Sequence, residues 1–119
     1  MMQLSEETKM PEIVTVSERK ARETARRRAA ALAVMAEARE FASVHGGRFH
    51  VFGSAAEDRM KYDSDFDVVV DFPLPTEMEA AEFVEEACRR RNIPSDIHLR
   101  SRASARFLDR IRDSMVSLP

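Results

Sequence analysis

Apolar residues in the first half of the chain recur every three or four positions, with Ala21, Ala25, Leu32, Met35, Ala38 and Ala42 on one stripe, which predicts a single long helix. Thr15-Val16-Ser17-Glu18 has the form of a capping box at its start, and Gly46-Gly47 stops it. The stripe is mostly alanine, which favours close helix approach. Its distal half is therefore expected to pack on the rest of the fold, and its proximal half to project towards a partner. Residues 1 to 14 are polar, contain Pro11, and are expected to form a flexible arm.

The pattern then shifts to short apolar runs. Phe49-His50-Val51-Phe52 reads as a first strand, residues 55 to 61 as a short helical turn, and the stretch from Asp65 to Phe72 as a second strand. Phe72-Pro73-Leu74-Pro75 breaks the chain, and Thr76-Glu77-Met78-Glu79 signals a capped helix running to Arg91. After Asn92-Ile93-Pro94 comes a third strand, Asp96 to Arg100. A last helix, near Ala103 to Met115, is expected to bury Phe107 or Leu108, Ile111 and Met115. A helix between the second and third strands is a crossover, so those strands should run parallel with their starts side by side. The expected fold class is α/β (α+β): a mixed three- or four-stranded sheet with flanking helices, in one domain over residues 15 to 119.

Composition narrows the setting. At 119 residues and 44% hydrophobic, the chain supports one modest core and contains no run long enough to cross a bilayer. The N-terminus does not combine a basic start with an apolar stretch, and the single cysteine cannot form an internal disulfide, so a cytoplasmic setting is expected. Cys88 shares a helical face with Ala80, Ala81, Val84 and Ala87, and reads as a small core residue. The net charge of −2 does not advertise nucleic acid as a main partner. Residues 19 to 28 nevertheless carry Arg19, Lys20, Arg22, Arg26, Arg27 and Arg28 without interleaved aromatics, which reads as a solvated helix face. His45, His50 and His98 have no paired Cys/His spacing of the kind that holds structural zinc.

The chemistry concentrates in Gly53-Ser54, followed after ten residues by Asp65-Phe66-Asp67. Strand side chains alternate, so Asp65 and Asp67 share a face while Phe66, Val68 and Val70 enter the core. Two adjacent carboxylates repel unless a cation lies between them, and hard oxygen donors suit Mg²⁺ or Mn²⁺ together with substrate phosphates. Gly53, lacking a Cβ, lets backbone N–H groups approach a triphosphate, and the Ser54 hydroxyl can donate to it. Asp96 is the candidate third acid, with His98 on the same face two residues on.

The Gly53-Ser54-x10-Asp65-x-Asp67 signature, with Asp96 on a following strand, resembles the DNA polymerase β-type nucleotidyltransferase superfamily, particularly its minimal nucleotidyltransferases. The resemblance covers about residues 45 to 119. It implies a small α/β palm that uses ATP with Mg²⁺ (or Mn²⁺), often as the antitoxin partner of an all-helical HEPN toxin. Carried over residue by residue, it assigns Gly53 and Ser54 to phosphate, Asp65 and Asp67 to metal, and Asp96 to the third carboxylate, as metal ligand or base. The family commonly has a small-basic-Gly run after the Ser, whereas Ala55-Ala56-Glu57-Asp58 follows here. Arg59 and Lys61 are the candidates to supply the missing positive charge. The expected activity is transfer of a nucleoside monophosphate from a nucleoside triphosphate to an acceptor hydroxyl on a partner protein. The contrasting readings are a module that neutralises a helical toxin by contact alone, and a small-molecule nucleotidyltransferase.

Overall fold

The computed structural model describes residues 15 to 119; the expected N-terminal arm lies outside the described residues. Helix α1 (Val16–His45) opens on a true capping box: the Thr15 hydroxyl accepts from Glu18 N–H, and the Glu18 carboxylate accepts from Thr15 N–H. Such a cap contributes on the order of 1 kcal/mol. The helix closes at Gly46 in the left-handed region, φ 73°. Its buried residues are Ala30, Ala31, Val34, Ala38 and Ala42, whereas Ala21, Ala25 and Leu32 are exposed. Of the stripe expected from spacing, Ala38 and Ala42 are buried; Ala21 and Ala25 precede the buried stretch, and Leu32 is turned away from the line through Ala31, Val34 and Ala38.

Four strands follow: β1 (Arg48–Phe52), β2 (Phe66–Asp71), β3 (Ser95–Leu99) and β4 (Val116–Leu118). Their order in the sheet is β3-β2-β1-β4. β1 is antiparallel to both β2 and β4, while β2 and β3 are parallel, joined by the crossover helix α3 (Leu74–Arg90). The single turn α2 (Gly53–Ala56) leaves β1 directly. It starts at the glycine itself rather than at residue 55, and the chain from 57 to 65 is loop.

Period-two alternation sorts the sheet into two faces. Phe49, Val51, Phe66, Val68, Val70 and Leu118 are fully buried in one core with Ala30, Val34 and Ala38 of α1 and Ala80, Val84 and Ala87 of α3. Cys88 belongs to this core, and burial pushes its thiol up to about 11. The opposite face carries Phe52, Asp67, Asp96 and His98, and helix α4 (Ala105–Ile111) covers only part of it. That helix is shorter than the sequence suggests. Ser104 caps it, and the chain after Met115 leaves the helical path to pair as β4.

Candidate active site

Gly53 stands where β1 ends and α2 begins, at φ 72°, a conformation that favours a residue without a Cβ. Its neighbour makes the requirement stricter. β1 and β2 place Phe52 opposite Asp67, and a Cβ on Gly53 would overlap Asp67 Oδ2, with Asp67 Cγ at 3.4 Å. The glycine thus serves two purposes: it turns the chain, and it lets the backbone lie against a carboxylate.

The parallel register sets Asp67 directly opposite Asp96, as the crossover topology requires. Asp65 lies just before β2 and is exposed, Asp67 is half-buried on the strand, and Asp96 is exposed on β3. Burial, then the charges of Asp96 and Asp65, push the Asp67 carboxyl up to about 6; His98 acts in the opposite direction. The His98 ring nitrogen Nε2 lies 3.2 Å from Asp96 Oδ2. Among the described residues, no three His, Cys, Asp or Glu side chains are gathered closely enough to form a finished metal-ligand cluster. The donor set is nonetheless the hard-oxygen kind that Mg²⁺ or Mn²⁺ takes.

Ser54 sits in the first turn of α2, its hydroxyl directed at Met60 Sδ at 3.3 Å. A thioether is a weak acceptor, so this hydroxyl is readily redirected to a phosphate oxygen. The two acids after the Gly-Ser pair are each held by an arginine. Glu57 pairs with Arg59 (3.0 Å), and Asp58, in the left-handed region at φ 54°, pairs with Arg28 of α1 (2.7 Å). Arg59 is therefore engaged locally with Glu57. Lys61 is exposed, and its backbone N–H donates to Ser64 Oγ.

Two features of this face escape sequence reasoning. Phe52, His98 and Phe107 form an aromatic cluster beside the carboxylates, with Phe52 edge-on to Phe107 at 5.4 Å and His98 over Phe107 at 4.7 Å. Alternation places Phe52 and His98 on this side of the sheet, but nothing in the spacing brings Phe107 to them. Further along, His50 lies between the Asp71 carboxylate (2.9 Å from Nε2) and the Ser117 hydroxyl (2.8 Å from Nδ1). A carboxylate only accepts, so Nε2 donates to Asp71. His50 and Asp71 also line a cavity of about 360 Å³ under α4. Asp71 is four residues beyond Asp67, roughly 13 Å along the strand, so this cavity is distinct from the carboxylate site.

A family model described as "Nucleotidyltransferase domain" matches residues 34–118, well over half of the chain. The chain belongs to this family. Neither the curated proteins nor the solved structures returned a match. The matched span contains Gly53, Ser54, Asp65, Asp67 and Asp96, and every strand of the sheet. The mixed sheet with flanking helices and a long N-terminal helix is compatible with the nucleotidyltransferase fold. Among the described residues no helix is long and apolar enough to cross a membrane.

Proposed function

We infer that this nucleotidyltransferase domain transfers a nucleoside monophosphate, with ATP as donor and Mg²⁺ (or Mn²⁺) as the metal, to a hydroxyl on a partner protein. The observation that carries the reading is the contact of Gly53 with Asp67, itself in register with Asp96. The glycine turn and a carboxylate pair meet at one end of the strands, where β1 stops and β2 and β3 start. Asp65, Asp67 and Asp96 would hold the metal, which when bound supplies charge stabilisation for the transferring phosphate and leaving pyrophosphate. The first N–H groups of α2 have no partners within their own helix and no side-chain cap, and would donate to phosphate oxygens, with Ser54 as a further donor. Asp96, exposed beside His98, would accept the proton of the incoming hydroxyl.

The partner reading rests on the resemblance of the Gly53-Ser54-x10-Asp65-x-Asp67 signature to minimal nucleotidyltransferases, which often act on a partner chain. An all-helical HEPN-type toxin, with this protein as its antitoxin, is the partner proposed. The test is incubation with ATP labelled at the α-phosphate, Mg²⁺ and such a partner. The expected result is label on the partner, reduced on the order of 10²-fold or more in Asp67→Asn while partner binding persists. A variant that neutralises the partner as well as wild type does would overturn the enzymatic role and leave neutralisation to contact alone.

A further inference from the structure

Three consecutive arginines of α1, Arg26 to Arg28, precede the family match yet reach into it. Arg26 donates from Nη1 to the Arg91 carbonyl (2.8 Å) and from Nη2 to the Asn92 carbonyl (2.7 Å). Those carbonyls belong to the turn that delivers Asp96. Arg27 donates from Nη1 to the carbonyl of Ser64 (2.8 Å), the residue immediately before Asp65. Arg28 grips both carboxylate oxygens of Asp58 (2.7 and 3.2 Å), in the loop that leads from the Gly-Ser turn to Asp65.

The arginines are themselves held in place. Glu23, one turn earlier, accepts from both Arg26 and Arg27 at 2.7 to 2.9 Å. The two loops are also bonded to each other, Phe66 N–H donating to the Pro94 carbonyl at 2.8 Å. Lys20 adds a contact of the same sense, its ammonium 4.7 Å from the centroid of the Tyr62 ring. Arginines on a merely solvated face point at water. Here each binds a group 30 to 66 positions away in the sequence, and the Arg27 side chain is only 17% exposed.

We propose that Arg26, Arg27 and Arg28 form a clamp that fixes the two loops delivering Asp65 and Asp96 on either side of Asp67. They are positioning residues for the carboxylate site. The clamp accounts for the last three basic residues of the run in α1, and for how a chain with Glu57 and Asp58 after its Gly-Ser pair keeps the Asp58 charge tied to α1. It rests on the reading that the three carboxylates hold a divalent metal.

The test measures loop order and metal affinity in the metal-free, full-length protein. In Arg27→Ala, amide hydrogen exchange across residues 61 to 66 should accelerate about tenfold or more, and in Arg26→Ala across residues 92 to 96. Each variant should bind Mn²⁺ about tenfold more weakly by titration, while circular dichroism stays that of the folded protein. Arg27→Lys, which retains one donor for the Ser64 carbonyl, should recover part of both effects. Arg19→Ala, which removes an exposed basic side chain from the same helix, should change neither. Wild-type exchange and Mn²⁺ affinity in Arg26→Ala/Arg27→Ala would overturn the clamp. If wild type itself binds no Mn²⁺, the metal-site reading is what fails, and the exchange data alone decide whether the clamp orders the loops.

Discussion

Replacing Gly53 by alanine separates the backbone role of this glycine from its role at the carboxylate. The left-handed conformation at φ 72° costs an alanine about 1–2 kcal/mol. The new Cβ also overlaps Asp67 Oδ2, while Asp67 Cγ and Cβ lie at 3.4 and 3.6 Å, so rotation of the carboxylate relieves the clash. Pushing that side chain off its rotamer adds about 0.5–1.5 kcal/mol. The sum, about 1.5–3.5 kcal/mol, corresponds to a fall in Tm of roughly 10 °C for a domain near this size. The larger consequence is chemical, because displacing a metal-site carboxylate by about 1 Å is expected to cost on the order of 10² in transfer rate. Gly46→Ala is the internal control: it has the same backbone strain at φ 73°, with nothing within 4 Å of its Cβ. Thermal unfolding and pyrophosphate release, measured on both variants, should show destabilisation of both, larger in Gly53→Ala by about 0.5–1.5 kcal/mol, but loss of activity only in Gly53→Ala. Equal activity in the two variants would refute the claim that Gly53 is required by its contact with Asp67.

The Asp67 carboxyl, ordinarily near 3.8, is held at about 6 in the folded protein. Its contribution to stability is therefore fully present below about pH 3.8 and lost as the pH rises through about 6. In metal-free buffer, denaturant unfolding from pH 4 to 7 should show wild type losing stability relative to Asp67→Asn across that window, and parallel curves would contradict the assignment. Cys88 is buried in the core with its thiol pushed up to about 11. It should resist a thiol reagent at pH 7.5 until denaturant is added, and rapid labelling of the native protein would show that the α1–α3 core opens.

What could be read from the sequence follows the physical range of each signal. The capping box at Thr15, the crossover between β2 and β3, and the pairing of Asp67 with Asp96 rest on local spacing and strand alternation, and all appear in the structure. The end of α4 is not legible, because β4 is fixed by pairing with β1, 65 to 69 positions away in sequence, and not by local propensity. Ala21 and Ala25 are exposed because helical period identifies a stripe but not how far along it a neighbour extends, and Leu32 because it is turned away from the buried line through Ala31, Val34, Ala38 and Ala42. The reason for Gly53 was half visible. A lone glycine ending an apolar strand signalled a special conformation, but its contact with Asp67 depends on β1–β2 register. The arginines at 26 to 28 read as a solvated face because their distant partners are three backbone carbonyls, which carry no sequence signature, and one carboxylate, Asp58, far away in the chain.

The central claim is that Asp65, Asp67 and Asp96 form a divalent-cation site against which a nucleoside triphosphate binds. Calorimetric titration of a non-hydrolysable ATP analogue, with and without Mn²⁺, into wild type and Asp65→Asn/Asp67→Asn tests it most directly. The expected result is binding by wild type only when Mn²⁺ is present, and none by the double variant. Binding of equal strength in the double variant, or no binding by wild type with Mn²⁺, would contradict it.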